Sequence, residues 1–201
     1  MEKDQPHGEN TRKELLEALK NKIKDAGLVL ISDYDKGLAD KQTTAFIIRQ
    51  AKKHKVPVII DPKKKDWSLY TGAFLVTPNL KEFREVCNRH QLDDDDLPGS
   101  GKAIREQFDL DNLLITLSDK GMMLITAEEE FHVPTVKKEV FDVSGAGDTV
   151  IATLAACIAN GFELKRSVEI ANIAAGIVVG KFGTAPVLLE ELQEAVLSLK
   201  F

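Results

Sequence analysis

Short apolar runs at residues 28–32, 58–60 and 73–77 alternate with amphipathic stretches, and this alternation constrains the fold more than any other feature of the 201 residues. Strands covered on both faces read as continuous apolar runs, and helices between them make the pairing parallel, with right-handed crossovers. A first helix is expected from Thr11, with Thr11 and Glu14 at capping-box spacing and Leu15, Leu16, Leu19 and Ile23 on one face. Asp40 is placed to cap a second, carrying Ala45, Phe46, Ile48 and Ala51, and a third is expected over 79–89. Asp93 to Asp96, running into Leu97, Pro98 and Gly99, reads as a solvated connection, because calcium sites space their oxygen ligands rather than stacking them consecutively. Residues 113–117 and 122–126, separated by Ser118 to Gly121, fit a hairpin where the sheet turns antiparallel, with a further extended piece at 131–133. Helices are then expected over 148–159, 164–181 and 189–199, the middle one with a small-residue face of Val168, Ala171, Ala174, Ala175 and Val178.

Composition removes several classes. A chain 43% hydrophobic can bury a core, and a net charge of −5 with Lys63, Lys64 and Lys65 as its one dense basic cluster argues against a nucleic-acid binder. The longest mostly apolar stretch, 150–159, falls short of the roughly 20 residues a spanning helix needs. Residues 1–10 are polar and carry no signal core, so they read as a flexible leader before a domain over 11–201, and cytoplasm is the expected compartment. Cys87 and Cys157 lack metal or redox spacing and are expected as two buried thiols, while the four histidines show no ligand pattern. Gly99-Ser100-Gly101-Lys102-Ala103 has neither the first glycine nor the hydroxyl residue of a P-loop and reads as a helix start.

The segment most suggestive of chemistry is Asp142-Val143-Ser144-Gly145-Ala146-Gly147-Asp148. Gly145 and Gly147, with only Ala146 between them, let an anion approach the backbone amides, and the helix that follows turns its positive end to the same point. Asp148 would stand beside that point as a base accepting a proton from an attacking hydroxyl. The same residues also suit a tight turn with Asp148 as a helix cap.

This segment resembles the D-[TV]-[TS]-G-A-G-D signature of the ribokinase-like, or pfkB, family of sugar kinases, and further matches follow in the family's order. The resemblance implies an α/β ribokinase-like fold: a mainly parallel sheet flanked by helices, with an antiparallel hairpin. It implies Asp148 as base and Gly145, Ala146 and Gly147 as anion cradle. Asn79 and Glu82, in Asn79-Leu80-Lys81-Glu82, match an N-x-x-E motif that serves the nucleotide phosphates and, through water, magnesium; a capping box is a structural role open to the same pair. Thr116 and Gly121 match a loop lying along ATP, and Asn172 and Gly183 match adenine and ribose contacts. Asp142 and Ser144 match part of a monovalent-cation site, K⁺ in this reading. ATP and Mg²⁺ are the implied cofactors.

Within the family the sequence is similar to the kinase domain that phosphorylates heptose 7-phosphate on the route to ADP-heptose, a lipopolysaccharide precursor. Ser32-Asp33-Tyr34-Asp35-Lys36-Gly37, Ile60-Asp61-Pro62-Lys63 and Thr77-Pro78-Asn79-Leu80-Lys81-Glu82-Phe83 carry that likeness. It implies a sugar or sugar-phosphate substrate held by Lys63, Asp33 and Lys36, and neither nucleic acid nor membrane as partner. Asp35 and the stretch Lys64-Lys65-Asp66 depart from the family pattern, which bears on the choice of sugar. The match also corresponds only to the later part of the family's fold, without its opening strands and lid. An unpaired sheet edge needs covering, so self-association or a complementing N-terminal fragment is expected. The alternative to an active kinase is a catalytically silent nucleotide-binding or assembly module lacking the sugar-binding half.

Overall fold

The computed structural model describes residues 9–135 and 141–198. Helix α1 (Glu9–Ile23) leads into β1 (Val29–Ser32), α2 (Lys41–His54), β2 (Val58–Asp61), β3 (Leu75–Val76), α3 (Leu80–Arg89), α4 (Leu97–Gln107) and β4 (Asn112–Thr116). Strands β5 (Met122–Ile125) and β6 (Glu130–Val133) precede helices α5 (Ala146–Ala159), α6 (Leu164–Val179) and α7 (Leu189–Ser198). The six strands lie in sequential order, β1 to β4 pairing in parallel, and the hairpin supplies the antiparallel part expected of the sheet.

Two compact units can be distinguished. One runs from residue 9 to Ile115 and includes Ile125–Glu130; the other comprises Thr116–Leu124 and the described residues from Phe131 onward. In the first unit Ile59, Ile60, Leu75, Val76, Leu113 and Leu114 are wholly buried, which explains why β2, β3 and β4 carry no polar alternation; β1, expected as a strand covered on both faces, instead alternates half-buried and exposed positions, with Leu30 40% exposed. Phe83, Ile104, Trp67 and Tyr70 complete that core, and each side chain of this size contributes about 1.5–3 kcal/mol on full burial. In the second unit α5 and α6 pack together, with Val168, Ala171, Ala174 and Val178 of α6 fully buried, as the small-residue face requires.

Several boundaries differ from the sequence reading. Helix α1 begins at Glu9, so Thr11 is inside the helix and not its cap; nothing between Glu9 and Thr11 opposes helical backbone. The polar leader therefore lies outside the described residues up to residue 8, while Glu9 and Asn10 are helical. Helix α5 starts two residues before Asp148, because Gly145 with φ +79° supplies the break. The hairpin turn expected over Ser118 to Gly121 is formed by a 3-10 turn at Ser118–Lys120. Cys87 is buried, but Cys157 is only half-buried, since its helix also presents a solvated side. No helix among the described residues is long and apolar enough to cross a membrane.

The caps of α2 and α3 match their sequence signals, Asp40 accepting the Thr43 amide and Asn79 that of Glu82; Leu97 and Pro98, expected in a solvated connection, instead open α4, because Asp96 caps it through the Gly99 amide. Asp40 also pairs with Arg12, tying α1 to the start of α2. Burial by itself would raise the Asp40 carboxyl, but the Thr43 amide and hydroxyl, with the Arg12 charge, hold it below its ordinary value. A depressed folded value means that this stabilisation is full above about pH 4 and is lost as pH falls through the folded value. Asp40→Ala should lower stability by about 1 kcal/mol, read by urea denaturation at neutral pH. Asp40→Asn, which keeps a capping oxygen, should lose less and should flatten the acid limb of the stability profile.

Candidate functional site

The start of α5 is built from a loop with little freedom. Phe141 and Asp142 donate their amides to the Val179 carbonyl at 2.8 and 3.3 Å, fastening the loop to the end of α6. The Asp142 carboxylate accepts the Ser144 amide at 2.8 Å. That bond, then the Ser144 side chain and the Gly183 amide, outweigh desolvation and hold the Asp142 carboxyl below its usual range. The Ala146 amide donates to the Val143 carbonyl at 3.2 Å. The amides of Gly145, Gly147 and Asp148 have no hydrogen-bond acceptor among the described residues. Three donors are thus left at the positive end of a 14-residue helix, and no capping side chain competes for them.

A cavity of about 230 Å³ opens beside this helix start, within the second unit. Thr116, Gly121, Ala146, Gly147 and Asn172, all singled out in the sequence, line it together. Gly145, Asp142, Ser144, Asp148 and Gly183 are not in its lining, and Asp148 is exposed in the first turn of α5. Gly121 has φ +89°, and a Cβ there would lie 1.9 Å from the Val133 carbonyl oxygen, so only glycine fits. Asn172 is buried and donates its amide to the Pro134 carbonyl at 2.9 Å, anchoring the chain after β6 to α6.

Of the remaining lining, Ser118 and Asp119 fall in the Thr116–Gly121 loop and Val143 in the 142–148 segment, whereas Met122, Thr135, Val150, Gly176 and Val179 were not marked in the sequence. Met122, Val143, Val150 and Val179 supply apolar walls, and Ser118, Asp119 and Thr135 add polar groups. Ala175 and Gly176 leave room on the α6 side, and the small-residue face of that helix is the one signal that could have pointed to the space.

The remaining candidates belong to the first unit. Asn79 and Glu82 form a complete capping box: Asn79 Oδ1 accepts the Glu82 amide at 2.9 Å, and Glu82 Oε2 accepts the Asn79 amide at 3.1 Å. The other oxygen, Oε1, lies 3.6 Å from Lys63 Nζ, so the structure brings Lys63 and Glu82 together. Lys65 pairs with Glu85 at 2.9 Å. Asp33 is buried, its carboxylate accepting the Tyr70 hydroxyl at 2.7 Å and the Asp35 amide at 2.8 Å, while Lys36 is exposed. Burial, then the hydrogen bond to Asp33 and its charge, push the Tyr70 phenol well above its ordinary value.

The description "pfkB family carbohydrate kinase" matches residues 3–191. Bifunctional protein HldE of Actinobacillus succinogenes is 48% identical over 184 residues, which are 90% of this chain and 38% of that protein. The phosphofructokinase-2 of Escherichia coli, in complex with potassium, superposes with a TM-score of 0.74 over 91% of this chain and 61% of its own, at 18% identity. The ribokinase of Arabidopsis thaliana, complexed with ribose and ATP, also reaches 0.74, covering 88% of this chain and 58% of its own at 20% identity. At these identities the structural likeness shows the fold, which is ribokinase-like as expected. The chain spans about two fifths of the length of the curated relatives it matches.

The two glycines facing the cavity should respond oppositely to a methyl group. Gly121→Ala should destabilise by more than about 1 kcal/mol, because positive φ and a backbone clash coincide there. Gly147→Ala meets nothing within 4 Å and should leave stability unchanged or raise it by up to about 1 kcal/mol. Denaturant titration of the two variants beside the parent chain checks both.

Proposed function

The chain belongs to the pfkB family of carbohydrate kinases, and on that footing we propose that it transfers the γ-phosphoryl group of ATP to a hydroxyl of a heptose phosphate, in the synthesis of ADP-heptose for lipopolysaccharide. The observation that carries this reading is the convergence of Thr116, Gly121, Ala146, Gly147 and Asn172 on one cavity beside the start of α5. They come from three separate stretches of sequence, 116–121, 146–147 and the α6 residue 172, each of which matches a nucleotide or phosphate contact of the family. The relative named bifunctional protein HldE supports the choice of acceptor class. No observation favours a catalytically silent module.

In this reaction the acceptor hydroxyl oxygen bonds to the γ-phosphorus as the bond to the β–γ bridging oxygen breaks, and ADP leaves. Asp148 takes the hydroxyl proton; its exposed carboxylate in the first turn of α5 is open to an incoming acceptor. The amides of Gly145, Gly147 and Asp148 then meet the charge that spreads over the transferred oxygens, and being fixed beforehand they need no reorganisation. Ala146 contributes its small side chain to the cavity wall, its amide being held by Val143.

Thr116 and Gly121 would flank the nucleotide, with Asn172 and Gly183 serving its base and ribose. Asn79 and Glu82 are assigned to the phosphates and magnesium. One carboxylate fits that ion, which keeps several waters and takes further oxygens from phosphates, and Glu82 Oε1 is the oxygen not used by the capping box. Magnesium, when bound, offsets phosphate charge. Asp142 and Ser144 are assigned to potassium; the depressed carboxyl of Asp142 keeps it anionic for that purpose. Lys63 and Lys36 would meet the phosphate of the acceptor as point charges.

Asp148→Asn should keep the fold and ATP affinity while lowering turnover at least ~10²-fold, the usual loss when a general base is removed. Calorimetry with ATP and magnesium, followed by a coupled ADP-release assay with heptose 7-phosphate, measures both. Unchanged turnover in the variant would remove Asp148 from the role, and ATP binding without sugar-dependent turnover in the parent would reject the kinase reading.

A further inference from the structure

Asp33 is 4% exposed, and a carboxylate this deep is costly unless its oxygens are hydrogen-bonded. Both are engaged. The Tyr70 hydroxyl donates to Oδ2 at 2.7 Å, and the Asp35 amide donates to Oδ1 at 2.8 Å. Tyr70 is itself fully buried, and its oxygen also accepts the Lys64 amide at 3.3 Å. One phenol therefore joins the segment after β1 to the segment after β2. Lys64 adds a second tie between the same segments, with Nζ donating to the Ala39 carbonyl at 2.7 Å and lying 3.8 Å from the Asp35 carboxylate.

The tied backbone is unusual at Asp35. Asp35 sits at φ +54°, a left-handed conformation that short polar residues tolerate best, and the Asp33 carboxylate holds it there through the Asp35 amide. Lys63, immediately before the amide that Tyr70 receives, keeps its side chain 62% exposed. Lys64 turns its charge to the 33–39 segment, while Lys63, 3.6 Å from Glu82 Oε1, keeps most of its side chain open to solvent and so within reach of a ligand. A phenylalanine would fill the same core volume as Tyr70, so packing alone does not call for the hydroxyl.

We propose that Tyr70 is a positioning residue for the sugar-phosphate acceptor: through the Asp33 carboxylate and the Lys64 amide it sets the backbone from which Lys63 and Lys36 meet the acceptor's phosphate. Asp33 acts with it as a buried brace and does not touch the sugar. The inference rests on the reading of Lys63 as a phosphate contact given above, and it goes further by naming what orients that lysine.

The test measures binding of heptose 7-phosphate, and separately of ATP with magnesium, to the full chain by calorimetry. The proteins are the parent, Tyr70→Phe, Lys63→Met and the double variant, with circular dichroism melts to confirm folding. Tyr70→Phe should weaken heptose 7-phosphate about tenfold, the scale of one lost hydrogen bond, with ATP affinity unchanged. In the Lys63→Met background the same change should add less than about twofold, because the effect passes through Lys63. Parent-like binding by Tyr70→Phe while Lys63→Met loses affinity would overturn the inference and leave the reading of Lys63 standing; so would fully additive losses, or an equal loss of ATP affinity. Parent-like binding by Lys63→Met, or no binding of heptose 7-phosphate by the parent, would overturn that reading and the inference with it. If Tyr70→Phe fails to fold, Lys64→Ala decides: it cuts the second tie and should weaken heptose 7-phosphate about threefold, and an unchanged affinity would reject the brace.

Discussion

Parallel pairing in register, with Ser32 opposite Asp61 and Ile60 opposite Val76, is the constraint on which the polar chemistry of the first unit depends. It aligns the carboxyl ends of β1, β2 and β3, so the segments that leave them start side by side. The Asp33 amide bonds to the Asp61 carbonyl and that of Thr77 to the Ile60 carbonyl, both at 3.0 Å, carrying the alignment one residue past the strands. Strands β2 and β3 are buried and have room only for apolar side chains, so polar groups collect where the chain emerges. Asp33 with Tyr70, and Lys63 with Glu82, are the pairs that result.

The second unit concentrates its polarity differently, at one helix end. Helices α2, α3 and α4 each begin with a side chain that bonds the first-turn amides, whereas α5 begins with Gly145 and no such bond. Capping satisfies the orphan amides from within the chain, and a glycine leaves them for something else. The cost of that arrangement is borne by the loop, held by the bonds of Phe141 and Asp142 to Val179 and by the Ser144–Asp142 turn. A phosphate is the anion we propose for those donors.

Local signals were legible wherever a residue's role depends on its immediate neighbours. Asp40, and Asn79 with Glu82, cap helices because each reaches an amide three residues on, a distance the sequence itself states, whereas Asp96 caps α4 by the same geometry from within a run that read as a connection. The same locality misled at Thr11: its spacing to Glu14 suits a cap, but the helix had already begun at Glu9. Ala146 shows a finer limit, since glycine spacing marked the loop as an anion cradle without revealing that the Ala146 amide already serves Val143. Tyr70 carried no signal, because the groups it joins, Asp33 and Lys64, are 37 and 6 residues away and no motif links them.

The order of apolar runs and turn residues was sufficient to determine a mainly parallel α/β sheet, its hairpin, and a glycine-lined helix start at residues 145–148. Those features follow from period, size and backbone freedom, which are properties of short stretches of chain. Only the tertiary structure decided which amides remain unbonded, that Thr116 and Asn172 face one cavity, and that Asp33 is sealed under Tyr70. Such outcomes depend on which distant groups reach hydrogen-bonding distance once the core has closed, and that distance is set by packing rather than by position in the sequence.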